Sequence, residues 1–298
     1  MITLYFMLFI LGLIMGSFFN VVILRYDPKQ SFFNLDHLTG RSKCVHCHKQ
    51  LKWYELFPVI SFMALGGKCK KCKAVLNWQY PVVEILTGLA TFGVPFLLGK
   101  IFFIKQLFLT GNPIEWFVIL SILWIWVFYF FIILAFIDFR HKIIPNEINF
   151  LLALFGVALV FFYNLYDKFG LASGTFVGGY AAMLGFRDNI WANHIGAAVF
   201  VFLLFLLVVV LSNGRGMGMG DVKLVGALGI IFGWPDVLLI VFLSFIIGAI
   251  YGIIILIKDK NNISRLVPFG PFLVLASALV FFGGQSILHS YFGLFGIL

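Results

Sequence analysis

The sequence has few charged residues. Charged side chains make up 11% of the 298 residues, whereas hydrophobic residues make up 62% and the mean hydropathy is +1.06. A soluble globular protein is closer to half apolar. Apolar runs of about 20 residues, the length that crosses about 30 Å of hydrocarbon, recur along the whole chain. The composition therefore excludes a soluble enzyme with a single anchor and predicts an all-α polytopic membrane protein.

Several catalytic and binding motifs are also missing. The sequence has no H-E-x-x-H motif and no Ser/His/Asp arrangement. The alternating glycines at 216–220 lack the preceding β-strand and the βαβ unit of a nucleotide-binding loop. The 21 Lys and Arg exceed the 12 Asp and Glu, but they do not lie on a soluble domain of useful size. We therefore expect no nucleic-acid partner, and take the basic excess as a sign of membrane topology.

About eight apolar segments predict transmembrane helices. They lie roughly at 3–24, 80–99, 116–137, 147–166, 194–211, 222–234, 237–257 and 267–284. The first lacks the flanks of a cleaved signal peptide, so we expect a retained helix. The sixth is short. On this topology 17 of the 21 Lys and Arg fall on one side, which the positive-inside rule makes cytoplasmic, with both termini outside.

Three regions follow from this topology. Residues 1–24 form the first transmembrane helix, residues 25–79 a cytoplasmic loop domain, and residues 80–298 a seven-helix membrane domain. The loop 25–79 is the extramembrane segment that is large enough to fold. With about 55 residues it is still too small to build a self-sufficient core.

All four cysteines lie in this loop, in two C-x-x-C pairs. Two residues between the thiols let both reach one tetrahedral ion, and the spacing between the pairs suits a four-cysteine zinc site. The alternatives are two disulfides, which a reducing cytoplasm disfavours, or free thiols. His46 and His48 are expected to be solvated neighbours. We predict a structural zinc ion bound by Cys44, Cys47, Cys69 and Cys72.

Two acidic residues stand at predicted membrane interfaces. Asp138 ends an apolar run, and Asp221 follows four alternating glycines, Gly214 to Gly220. In the predicted topology both lie at the cytoplasmic interface at similar depth. Two carboxylates brought close cannot both ionise, so one can activate a water while its protonated partner polarises a peptide carbonyl. We predict that Asp138 and Asp221 are a catalytic pair, supported by Gly218, Gly220 and Lys223.

Other roles for these acids stay open. A single interfacial Asp is commonly a helix cap or an ion-pair partner, so Asp221 could be an N-cap and Lys223 its neighbour. Arg140 or Lys142 could pair with Asp138. Paired membrane acids also occur in proton-coupled transporters. A non-catalytic membrane scaffold built on the cysteine loop is a third alternative.

Motifs along most of the chain resemble those of the bacterial type IV prepilin peptidases (prepilin leader peptidase/N-methyltransferase). A G-x-G-D sequence alone is a weak match, whereas seven elements in the family's order are a strong one. These elements are Gly16–Arg25, the two C-x-x-C pairs, Pro58–Phe62 between them, Tyr80–Glu84, Ile137–Asn146, Met217–Leu224 and Pro268–Phe272.

The resemblance implies a membrane aspartic endopeptidase of the bacterial cytoplasmic (inner) membrane that uses Asp138 and Asp221 at the cytoplasmic face. It implies cleavage of the leader of prepilins or pseudopilins, typically after glycine. Methylation of the new N-terminal residue, with S-adenosylmethionine as donor, usually follows in this family. The cysteine loop resembles that of the bifunctional members, with departures at Val45-His46, His48 and Gly66-Gly67-Lys68. A peptidase without methyltransferase activity is therefore the alternative.

The expected partners are substrate helices and a bilayer with anionic headgroups, against which the basic loop would lie. Four acids, Asp138, Asp221, Glu84 and Glu147, would then provide negative potential for a basic leader. Glu84 stands about one turn into the second span. It is the candidate residue for cofactor binding, and its alternative role is that of an interfacial acid at a helix start.

Overall fold

The computed structural model describes residues 2–32, 40–106, 113–166, 175–178, 180–184, 189–258 and 267–294. In these ranges the chain forms ten α-helices and one 3₁₀ helix, and no β-strand. The helices are α1 (Ile2–Arg25), α2 (Ile60–Ala64), α3 (Gln79–Gln106), α4 (Pro113–His141), α5 (Asn146–Tyr166), α6 (Tyr180–Met183), α7 (Ile190–Leu211), α8 (Met219–Phe232), α9 (Asp236–Lys258) and α10 (Gly270–Leu294), and the 3₁₀ helix is Trp53–Leu56.

Seven of the described helices are long and apolar enough to cross a membrane, namely α1, α3, α4, α5, α7, α9 and α10. They confirm the polytopic all-helical class. The predicted sixth span, 222–234, forms α8, which has 14 residues. At 1.5 Å per residue this helix is about 21 Å long, shorter than the roughly 30 Å hydrocarbon core. It ends at Gly233, whose φ of 68° suits glycine and leaves the α-helical region.

The chain divides into two compact units, Met1–Ile133 and Leu134–Leu298, and the division falls within α4. We call them the N-terminal and C-terminal units. About half of the segment between the fourth and fifth predicted spans, 167–193, lies outside the described residues, as do Asp36 and Asp259. The division at 25 and 80 predicted from sequence stays a prediction.

In the N-terminal unit, α1 and α3 pack closely through glycines. A Cβ at Gly12 would lie 2.6 Å from the Thr87 carbonyl oxygen, and one at Gly16 would lie 2.6 Å from the Glu84 Cα. Small residues at such spacing let two membrane helices approach at backbone distance. Farther along α3, the Thr91 and Tyr129 hydroxyls are 2.7 Å apart, which joins α3 to α4.

In the C-terminal unit, α8 is the central helix. It contacts α5, α7, α9 and α10, and Val222, Val225 and Leu228 are fully buried on it. Close contact with α7 requires Gly229, where a Cβ would overlap the Ala198 backbone. Because α8 is surrounded by longer helices, its first turn is held in a fixed position.

Candidate active site

Asp138 and Asp221 line one cleft of the C-terminal unit. Asp138 lies in the last turn of α4, three residues before its end, and Asp221 lies in the first turn of α8. The cleft has a volume of about 860 Å³. Its walls also include the glycine loop, the residues that follow α4, and the start of α10. The structure thus brings together two acids that are 83 residues apart in sequence.

Asp138 is held by the beginning of α10. Its carboxyl group is buried, with 4% of the residue exposed. The backbone N–H of Gly270 donates a hydrogen bond of 3.1 Å to its Oδ2. A Cβ at Gly270 would lie 2.6 Å from the same oxygen, so this position has no room for a side chain. Gly270 therefore fixes the orientation of Asp138 at the cleft.

Asp221 is placed by the way α8 begins. The chain leaves α7 through left-handed Asn213 and Gly214, then re-enters a helix with Gly218 as the N-cap. The idea that Asp221 is itself the N-cap is therefore wrong: Asp221 lies three residues later, in the first helical turn. An acid in that turn is favoured by the partial positive charge of the helix N-terminus.

Neither aspartate is neutralised by a cation in the described part of the chain. The ion pair found there joins Lys49 and Glu55. Lys223, predicted as a neighbour of Asp221, instead donates to the Asn146 Oδ1 at 2.7 Å. The two acids are thus left facing the cleft, and the ion-pair alternative finds no support.

Gly218 and Gly220 lie beside these acids. A Cβ at Gly220 would lie 3.2 Å from the Ile144 Cβ, so the helix start packs against the segment after α4. The Gly220 carbonyl faces the Asn149 Nδ2 at 3.5 Å. A Cβ at Gly218 would lie 3.6 Å from the Asp221 Oδ2 and 3.9 Å from the Gly220 backbone N, both ordinary contact distances. The loop thus presents bare backbone to the cleft, which suits the approach of an extended peptide.

The four predicted zinc ligands come together in the N-terminal unit. Their sulfur atoms all lie within 4.8 Å of one another, and the Cys44 and Cys72 Sγ atoms are 3.9 Å apart. Tetrahedral zinc with bonds of about 2.3 Å needs sulfurs about 3.8 Å apart. The site therefore fits a metal ion, and neither His46 nor His48 belongs to the cluster.

The two C-x-x-C knuckles have the same backbone geometry. Cys44 N–H donates to the Lys49 carbonyl and Cys69 N–H to the Ala74 carbonyl, both at 2.9 Å. The residue after each second cysteine, His48 or Lys73, has a positive φ. Backbone N–H groups of Cys72 and Lys71 lower the pKa of the Cys69 thiol to about 6.

A buried acid supports the first knuckle. The Lys52 N–H donates to the Glu55 Oε2 at 2.8 Å, and Lys49 forms an ion pair with the same carboxylate at 3.3 Å. The hydrogen bond from the Lys52 N–H is the main reason why the pKa of Glu55 is lowered. Glu55 therefore stays charged at neutral pH and holds Lys49 beside the cysteines.

Glu84, the predicted cofactor residue, lies on α3 and not in the cleft of the aspartates. It is 6% exposed, and its Oε2 accepts a 2.7 Å hydrogen bond from the Val59 N–H, in the loop. Ser17 of α1 also hydrogen-bonds to it. The acid is therefore not only an interfacial charge at a helix start, because it joins α1, α3 and the cysteine loop.

The sequence did not reveal several of these contacts. Gly270 and Asp138 are 132 residues apart, and Asn149 and Gly220 are 71 apart. The Pro268–Phe272 motif was visible, but no local signal linked it to Asp138. Only the tertiary structure, which places the start of α10 beside Asp138 near the end of α4, makes that link.

Two protein-family models match the chain. Residues 10–97 match the Bacterial Peptidase A24 N-terminal domain, and residues 125–253 match the Type IV leader peptidase family. No solved structure matches the chain.

Three relatives named prepilin leader peptidase/N-methyltransferase align over nearly the full chain. The Stutzerimonas stutzeri protein is 30% identical, over 95% of this chain and 91% of its own. The Aeromonas hydrophila protein is 29% identical, over 97% and 94%, and the Pseudomonas aeruginosa protein 29%, over 95% and 91%. The chain therefore belongs to the type IV leader peptidase family.

Proposed function

We propose that this protein is a membrane aspartic endopeptidase that removes the leader peptide of prepilins or pseudopilins. The observation that carries the proposal is the pair Asp138 and Asp221, which line one cleft with no cationic partner in the described residues. Membership of the leader peptidase family supplies the substrate class.

The pair provides acid–base hydrolysis without a covalent intermediate. The ionised carboxylate takes a proton from a water molecule, whose oxygen attacks the scissile carbonyl carbon. The protonated carboxyl group donates to the carbonyl oxygen and stabilises the developing charge. The carbon–nitrogen bond then breaks, and a proton passes from the pair to the leaving amine. The bare backbone of Gly218 and Gly220 leaves room for the substrate chain.

We place the cleft at the cytoplasmic face of the bacterial inner membrane. The distribution of Lys and Arg along the sequence supports this side. The acids at the cleft would attract a basic leader, while the basic loop 25–79 would lie against anionic headgroups. In this proposal the first transmembrane helix is residues 1–24, the loop domain is residues 25–79, and the peptidase domain is residues 80–298.

Methylation of the new N-terminus is the second proposed activity. The names of the aligned relatives support it, as does the intact cysteine cluster. In the reaction the deprotonated N-terminal amine bonds to the methyl carbon as the sulfur–methyl bond breaks. The bonding pair stays on sulfur, giving S-adenosylhomocysteine, and the amine then loses its extra proton. We assign zinc a structural role, because four cysteines leave no open coordination position.

The proposal is tested with purified protein in liposomes and a prepilin that carries a basic leader. Wild-type protein should release the leader, and Asp138→Asn and Asp221→Asn should not. Asp27→Asn, which changes an acid outside the cleft, is the matched control and should cleave normally. Cleavage by either cleft variant, or proton flux without cleavage by the wild type, would favour the transporter alternative.

A further inference from the structure

A second cavity lies in the N-terminal unit, separate from the peptidase cleft. It has a volume of about 260 Å³ and is bounded by α1, α3 and the cysteine loop. Residues from all three elements line it, including Asn20 on α1, Glu84 on α3, and Cys44, Glu55 and Cys69 in the loop. Nothing in the hydrolysis reaction uses this cavity.

Two hydrogen-bond acceptors in the cavity wall have unused capacity. Asn20 is 1% exposed and its Nδ2 donates to the Tyr80 carbonyl at 3.0 Å, but its Oδ1 has no hydrogen-bond partner. Glu84 forms no ion pair in the part of the chain that the structure describes. An unpaired buried acceptor or carboxylate is costly, and a bound donor or cation would offset that cost.

The remaining wall has different chemistry. Three cations line the cavity, Arg25 at the end of α1 and Lys43 and Lys70 in the loop, and Val21, Phe62 and Leu65 supply apolar surface. A ligand for this cavity would therefore carry a cationic, hydrogen-donating part, an anionic part and a flat apolar part. S-adenosylmethionine has an α-ammonium, a sulfonium and an adenine amino group, together with a carboxylate and an aromatic base.

We propose that this cavity binds S-adenosylmethionine, and that the Glu84 carboxylate and the Asn20 Oδ1 accept hydrogen bonds from its amino groups. The assignment rests on the proposed methyl transfer and gives that reaction a site of its own. Glu84 and Asn20 are binding residues here, and they take no part in peptide hydrolysis.

The cavity and the metal site share part of their walls. Cys44 and Cys69 belong to both the cysteine cluster and the cavity wall. Glu84 binds the backbone of Val59, between the two knuckles. A metal ion that fixes the knuckles therefore also fixes one wall of the cavity, so cofactor binding should depend on the metal.

The test is calorimetric titration of S-adenosylhomocysteine, the unreactive product, into the purified full-length protein. Glu84→Gln keeps an acceptor for the Val59 N–H but removes the charge, and it should weaken binding about 10- to 100-fold. Asn20→Leu should weaken binding about tenfold. Glu115→Gln, the same change at an exposed acid of this unit, is the matched control and should bind like the wild type.

Leader cleavage and zinc content show whether each variant is folded, and both should match the wild type. Asp221→Asn should bind S-adenosylhomocysteine normally. If the wild type binds and methylates but Glu84→Gln and Asn20→Leu bind equally well, the site assignment is overturned while the methyltransferase function stands. If the wild type neither binds nor methylates, both are overturned, and the peptidase proposal is unaffected.

Discussion

The two units place their acids in contrasting surroundings. In the N-terminal unit two acids, Glu55 and Glu84, line a cavity of about 260 Å³; Glu55 is paired with Lys49, whereas Glu84 forms no ion pair in the described residues. In the C-terminal unit two acids, Asp138 and Asp221, share a wider cleft of about 860 Å³ bordered by bare glycine backbone. The cavity contains one acid that no cation neutralises, which agrees with the proposed binding of a cationic cofactor. The cleft contains two such acids, which agrees with the proposed hydrolysis of a peptide bond.

The units also differ in how the acids are held. One wall of the cavity is the cysteine loop, whose two C-x-x-C knuckles meet at the four-cysteine cluster. The cleft depends on helix ends: α4 ends just after Asp138, α8 begins after its N-cap Gly218, and α10 begins at Gly270. Metal removal should therefore affect the first site, and changes at helix starts the second.

The largest expected effect is on cleavage in the aspartate variants. Asp138→Asn and Asp221→Asn should each slow cleavage about a thousandfold or more, because each removes one half of an acid–base pair. The double variant should be no slower than either single variant, since the two groups act as a unit. Initial rates with a purified prepilin measure this. Additive losses would show that the acids act independently.

Removal of the metal should abolish the activity proposed for the N-terminal unit and leave that of the C-terminal unit. A Cys44→Ser, Cys47→Ser double variant should lose zinc, because two thiolates cannot complete a tetrahedral site. It should also lose methylation of precleaved pilin, while its cleavage rate stays within about threefold of wild type. Metal analysis and the two activity assays test this. Equal loss of both activities would mean that the units depend on each other.

A smaller effect is expected at the start of α10. Gly270→Ala should slow cleavage about 10- to 100-fold, since its Cβ would displace the Asp138 carboxyl group and disturb its geometry. Gly283→Ala, on the same helix with nothing within 4 Å of its added Cβ, is the control. Binding of S-adenosylhomocysteine should be unchanged in both. Normal cleavage by Gly270→Ala would argue against a positioning role.

The smallest effects are expected in the glycine loop. Gly220→Ala crowds Ile144 and should lower kcat by about three- to tenfold through the helix start. A methyl group at Gly218 meets the Asp221 Oδ2 and the Gly220 backbone N at ordinary contact distances, so Gly218→Ala should change KM alone. Steady-state kinetics separate the two cases. A kcat effect at Gly218 would show that its flexibility, and not substrate access, matters.

The cysteine cluster and the placement of the acids were the most predictable features. Each C-x-x-C knuckle is local, so spacing alone indicates that its two thiols converge. Asp138 and Asp221 could be paired because alternating spans bring both to the same side of the membrane. Their shared cleft agrees with that prediction, and their catalytic role stays a proposal.

Other features depend on packing that the sequence does not encode locally. The sixth predicted span, 222–234, is visibly short in the sequence, and α8 has 14 residues; what hydropathy does not show is its packing among four longer helices. The hydrogen bond from Gly270 to Asp138 joins distant helices. The cavity around Glu84 forms only when the loop folds back onto α1 and α3. The sequence therefore singled out Glu84 but not Asn20, which lines the same cavity.

The most direct test of two separate sites is the intact mass of one prepilin after incubation with the enzyme and S-adenosylmethionine. Wild type should give the cleaved product with one added methyl group. Asp221→Asn should leave the precursor uncut, and Glu84→Gln should give a cleaved product without the methyl group. A cleaved product from Asp221→Asn, or a methylated one from Glu84→Gln, would contradict the account.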